Sequence, residues 1–209
     1  IVEGYDEGIT VTGNGLINGN CHDNSGAGIN ISNSSLADLS YIKVSNNCNG
    51  VWLNKVSILE GGWTASNDSN ISYGFIVQGN LKDGINVNDN SILNVEYMLL
   101  GGSESDQGNS SNENWDAINV FSNSKINIQD SRIEGNYGMA IGLYDNSRLK
   151  LRDTSVLNNG FNLNYSRPAI SINNLSFGEI NNSTINSNTG RGIDVYGRSS
   201  VLRQKYNLV

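Results

Sequence analysis

Apolar residues alternate with polar ones in short runs that recur about every 21 to 23 residues down almost the whole chain. One aligned pair reads Ile42/Val44, Trp63/Ala65, Ile85/Val87, Ile118/Val120, Ile141/Leu143, Ile170/Ile172 and Ile193/Val195, in steps of 21, 22, 33, 23, 29 and 23 residues. A second pair follows as Val51/Leu53, Ile71/Tyr73, Leu93/Val95, Ile126/Ile128 and Leu149/Leu151, and Ile9/Val11 and Ile29/Ile31 fit that second register upstream. A third apolar position recurs at Leu16, Leu36, Ile58, Ile133, Val156, Ile185 and Leu208. Alternation with a period of two is the mark of a strand with one buried face. Runs this short cannot make helices of ordinary length. Three such strands per repeat describe one coil of a parallel β-helix, each coil bonded to the next about 4.8 Å away. No coil buries its own apolar side chains, but a stack of coils places them in one core.

The chain is therefore expected to be all-β: a single-stranded parallel β-helix, right-handed by default, spanning 1–209 as one domain. It should hold roughly eight coils, with longer ones at 85–117 and 141–169. A β-sandwich pairs its strands antiparallel and gives no reason for one three-strand phrase to recur at fixed offsets. The Leu-x-x-Leu-x-Leu phrase of leucine-rich repeats is absent.

Composition supports this reading. Asn and Ser gather at the turns, where Asn47, Asp68, Asn90, Asn123, Asn146 and Asn174 share nearly one register and Ser69, Ser91, Ser124, Ser147 and Ser199 follow one place later. Asn and Asp accept left-handed backbone angles and bond to nearby amides. Small residues precede the first pair at Gly62, Gly84, Ala117, Ala140, Ala169 and Gly192, as a tight corner requires, with Tyr41 as the exception. The net charge of −7 argues against a nucleic-acid partner, and no apolar stretch is long enough for membrane insertion as a helix. Cys21 and Cys48 fall on adjacent coils but at different points along them, which leaves a disulfide open. The terminal coils look bare, so the chain reads as part of a larger protein, its ends capped by neighbouring domains or by an oligomer.

Departures from the minimal coil are where chemistry is sought. Gly101–Trp115 and Asn159–Pro168 are insertions that both leave between a third strand and the next first strand, and so should flank one groove. Asp83 and Asp116 each precede the first inward residue of their coils by two places, stacking one above the other. Two carboxyls so placed could serve as general acid and nucleophile on a glycosidic bond. Equally, Asp at a turn bonds to backbone amides and needs no substrate. Glu113, Trp115, Tyr144, Phe161, Tyr165, Arg167 and Asp194 surround the pair as candidate ligand-binding residues, and Glu104, Asp106, Glu113 and Asp116 could hold calcium. His22, the single histidine, lies far from both insertions and reads as a surface residue.

The phrases Asp83-Gly-Ile-Asn-Val-Asn-Asp-Asn-Ser and Met139-Ala-Ile-Gly-Leu-Tyr-Asp-Asn-Ser resemble the repeat of the pectin-lyase-like right-handed β-helix superfamily, and the likeness extends over essentially the whole chain. The resemblance implies a partner among polysaccharides and an extracellular, cell-surface or virion setting. Its catalytic signatures are absent: there is no Asn-Thr-Asp, Gly-His-Gly or Asp-Pro-His-Asp, and Pro168 lies between Arg167 and Ala169. The expected function is a carbohydrate-binding or structural β-helix module that needs no cofactor. The alternative is a polysaccharide hydrolase using Asp83 and Asp116 beneath the 101–115 insertion.

Overall fold

Three kinds of corner divide each coil, and residue type accounts for each. The computed structural model describes residues 2–5, 8–62, 73–102, 109, 116–160, 167–197 and 200–205, with the backbone alone for 14–19. The first corner is a pair of left-handed residues, as at Asp89/Asn90, Ser122/Asn123 and Asp145/Asn146. The second is a single left-handed residue: Tyr41, Tyr97, Asp130, Asp153 or Asn182. The third turns on Gly79, Gly135, Asn158 or Ser187. Asn, Asp and Gly meet the positive φ with the least strain, which explains why the turns are made of them.

The segments between corners stack as parallel strands. The first sheet has eight: Ile9–Val11, Ala27–Ile31, Asn49–Leu53, Ile85–Val87, Ile118–Val120, Ile141–Leu143, Ile170–Asn173 and Ile193–Tyr196. Ile118, Ile141 and Ile170 are register partners, stacked as the alternation predicts. Second and third strands merge into one sheet of 14, because Leu36–Ser45 runs unbroken through the one-residue corner at Tyr41. Its first half pairs with Ile58–Gly61 and its second with Phe75–Gln78. Inward Ile, Leu and Val from all three walls fill one continuous core.

The N-terminal coils correct the sequence register. Ile42/Val44 belongs to the third strand and Val51/Leu53 to the first sheet, paired directly with Ile85/Val87. Ile9/Val11 and Ile29/Ile31 are likewise in the first sheet. Leu36 and Ile58 lie in second strands, where the inward residues are Ala37, Leu39 and Leu59. Cys21 sits in a third strand beside Val44. Trp63/Ala65 and Ile71, read from sequence as strand positions, lie outside the described residues, as does Leu208. The long coils at 85–117 and 141–169 are present, and the coil opened by Val51 is long as well. Both cysteines are free thiols, Cys21 buried and donating to the Gly28 carbonyl.

Polar ladders run along the corners. Asn24, Asn47, Asn80, Asn109, Asn136, Asn159 and Asn188 form one, each side-chain oxygen from Asn47 onward accepting both the backbone N–H and the side-chain amide of the Asn below. A second links Ser35, Ser57, Ser91 and Ser124 through their hydroxyls. Close approach of the next coil, together with the Asn ladder, explains the glycine at position 50. At Gly50 a Cβ would collide with the Gly84 carbonyl, Val77 and the Asn80 amide.

Candidate functional site on the outer face of the first sheet

Asp83 and Asp116 sit at the third corner, each just ahead of the small residue that opens a first-sheet strand. They stack one coil apart, and both are buried, at 2% and 3% exposure. Asp83 Oδ1 accepts the Asp116 backbone N–H at 2.9 Å and the Asn119 amide at 2.9 Å, while Oδ2 accepts the Asn86 amide at 3.0 Å. Asp116 Oδ1 accepts the Met139 N–H at 2.9 Å and lies 3.3 Å from Arg167 Nη1. Each carboxylate thus takes up the backbone amide of the next coil. They are rungs of a third ladder.

Burial dominates their electrostatics. It raises the Asp83 pKa above the usual carboxylate range, against the opposing hydrogen bonds from Asp116, Asn86 and Asn119. Asp116 is pushed up to about 7 by burial, with the Met139 N–H and Arg167 pulling the other way and the Asp83 charge adding to the rise. In the unfolded chain this carboxyl would titrate near 3.8. Between those two values the folded state keeps a proton that the unfolded state has released, so stability falls as pH rises through the window. The whole effect for Asp116 is roughly 4 kcal/mol by pH 8. Thermal melts should therefore give a higher Tm at pH 5 than at pH 8, and Asp116→Asn should flatten the difference. A wild-type protein more stable at pH 8 would contradict this balance.

Beyond the carboxylates runs a column of side chains just past the first strands. Phe121 stacks on Tyr144 with ring centroids 4.8 Å apart and planes at 13°. Tyr196, 54% exposed, holds the register of Asn173. Burial, and after it the Asp116 carboxylate, keeps the Tyr144 phenol protonated. Asp194 faces outward and pairs with Arg191 at 3.2 Å. Asn119 and Asn173 bury side-chain oxygens with no hydrogen-bond partner among the described residues. Buried acceptors of that kind cost about 1–3 kcal/mol each and call for an explanation.

The sequence expectations divide accordingly. Asp83, Asp116, Tyr144, Arg167 and Asp194 come to the outer face of the first sheet or its flanking corners, and the Arg167–Asp116 contact ties the flanks of the two insertions together. Glu104, Asp106, Glu113, Trp115, Phe161 and Tyr165 lie outside the described residues. Asp116 is the one candidate calcium ligand described, and its Oδ1 accepts from Arg167 Nη1 at 3.3 Å. Phe121 and Asn119 had no place in the sequence reading, although Phe121 shares the register of Tyr144 one coil earlier. His22 lies elsewhere, on the N-terminal coils. Its Nδ1 is 2.7 Å from Asp23 and its Nε2 3.2 Å from Glu3, and the three offer donor atoms within 4.8 Å of one another.

Residues 102–206, half of the chain, match the family described as the right handed beta helix region. No curated protein matches. Among solved structures, a candidate glycosyl hydrolase from Parabacteroides merdae is similar over 91% of this chain and 83% of its own, at 12% identity and a TM-score of 0.32. That overlap is too loose to bring any of its chemistry across. The family match is enough to place the fold: the chain belongs to the right-handed β-helix family.

Proposed function

We propose that this member of the right-handed β-helix family is a glycan-binding module, holding a saccharide on the outer face of its first sheet without cleaving it. The aromatic column carries the reading: Phe121 stacked on Tyr144, with Tyr196 exposed in the same register further along. Aromatic faces match the apolar faces of pyranose rings, and a few placed polar groups fix orientation. Asn86, Arg191 and Asp194 supply such groups beside the column. The setting that fits is one where polysaccharide is met directly: outside the cell, on its surface, or on a virion.

The exposed end of the column gives the test. Tyr196→Ala should leave the melting temperature nearly unchanged and weaken binding on a glycan array by about tenfold, the loss expected for one stacking contact. Undiminished binding would remove the column from the site.

One observation favours a second reading, hydrolysis. A carboxyl held near pH 7 is suited to general acid catalysis, and Asp83 lies one rung away. Hydrolysis asks for two carboxyls open to the scissile bond, however. Here both are enclosed and occupied by backbone amides, which favours binding.

A further inference from the structure

The one histidine of the chain stands between two carboxylates on the N-terminal coils. Val2–Glu3 pairs with the strand that ends at His22, placing Val2 beside Cys21 and Glu3 beside His22. Asp23 follows in a left-handed conformation, with φ 56°, and its carboxylate meets the imidazole ring. The backbone around them is pinned. The Asp23 carbonyl accepts the Gly4 N–H at 3.1 Å, the Asp23 N–H donates to the Ser45 carbonyl at 3.3 Å, and the Asn24 amide donates to the His22 carbonyl at 3.1 Å. The His22 side chain is half-buried, and those of Glu3 and Asp23 are open to solvent.

Each ring nitrogen faces a carboxylate oxygen. Nδ1 is 2.7 Å from Asp23 Oδ2, and Nε2 is 3.2 Å from Glu3 Oε2. A neutral imidazole carries one N–H, so one of these contacts sets a nitrogen lone pair against a carboxylate unless a cation lies between them. The shorter contact takes the N–H: Nδ1 donates to Asp23, and the Nε2 lone pair is left on the side of Glu3. A metal-bound histidine is held in this way, one nitrogen on the ion and the other fixed by a carboxylate that sets tautomer and ring orientation. The span agrees. With bonds of ~2.0–2.2 Å, two ligand atoms of a tetrahedral site stand about 3.4 Å apart, and Nε2 and Glu3 Oε2 are 3.2 Å apart. Among the described residues no lysine or arginine forms an ion pair with either carboxylate. Imidazole beside carboxylate suits zinc, copper or nickel, whereas calcium and magnesium take oxygen ligands.

We infer that His22 Nε2 and the Glu3 carboxylate form a binding site for a divalent transition metal, with Asp23 as the positioning residue and water at the solvent-open positions. The ion would join the two-residue strand Val2–Glu3 to its neighbour at His22, and so fasten the first coil to the next. The site belongs to the sheet of 14, not to the first sheet, and stands whether or not the aromatic column binds glycan.

The test titrates the chelator-treated full chain with zinc chloride, and with calcium and magnesium chloride as controls. One zinc per chain should bind. The imidazole Hε1 proton resonance should move with occupancy, and it is unambiguous because the chain has a single histidine. Calcium and magnesium should leave it in place. Zinc should raise the melting temperature of wild type but not of His22→Gln, in which stoichiometric binding is abolished. Asp23→Asn keeps both ligands and should weaken binding by about tenfold, the loss expected when the carboxylate orienting a ligating histidine is removed. Glu3→Gln should weaken it further. Three outcomes would overturn the inference: zinc leaves the His22 resonance unmoved, His22→Gln binds zinc as tightly as wild type, or calcium binds as tightly as zinc. The wild-type resonance decides the matter even if a variant misfolds.

Discussion

Leucine in place of Asn136 should cost the rod roughly 3–5 kcal/mol, although the two side chains are of similar size. Asn136 is an interior rung of the buried Asn ladder. Its Oδ1 accepts both the backbone N–H and the side-chain amide of Asn109, and its own amide donates to Asn159, to the Leu100 carbonyl and to the Glu134 carbonyl. Leucine would strand two buried donors on Asn109, at about 1–3 kcal/mol each, and remove a donor from two carbonyls. Asn127 gives the contrast. It also bonds to an Asn on the next coil, Asn94, but it is exposed, and water can replace the partner. Asn127→Ala should therefore change stability by no more than about 0.5 kcal/mol. Urea unfolding of the two variants measures the difference. Equal costs would mean that the ladder contributes nothing beyond local turn geometry.

Ile141→Asp should be more damaging still, at roughly 5 kcal/mol or more. Ile141 is fully buried, with Ile118 on one side and Ile170 on the other. The substitution removes an aliphatic side chain from a packed core and puts a carboxyl there without a partner. Ile92→Asp tests the period of the wall. Ile92 lies next to inward Leu93 but faces out, beside Lys125, so the same change should cost about 1 kcal/mol or less. A comparable loss in both variants would contradict the assignment of inward and outward faces.

How much of this was legible in the sequence depends on which signal carried it. From Ile85 onward the strand register holds, because Ile118, Ile141, Ile170 and Ile193 repeat with a small residue ahead and two turn residues behind. In the first 60 residues it slips by one strand. All three strands carry the same alternation, and the second corner is only one residue long, so Ile42/Val44 looks like the start of a coil when it is the end of one. The Asn ladder fixes the phase, since its rungs follow third strands only, but Asn is so common here that the rungs do not stand out from other turns. Asp83 and Asp116 were legible as a stacked pair. Their burial was not, because their partners are backbone amides of the next coil, which exist only once the coils are stacked.

The central claim is that the rod binds glycan and leaves it whole, with its two stacked carboxyls serving the fold. The direct measurement is an assay for new reducing ends, run on every polysaccharide that the wild-type protein retains, beside Asp116→Asn. The expected result is retention by both proteins and no reducing ends from either. Reducing ends released by wild type and abolished in Asp116→Asn, with glycan still retained, would make Asp116 a catalytic acid and contradict the account.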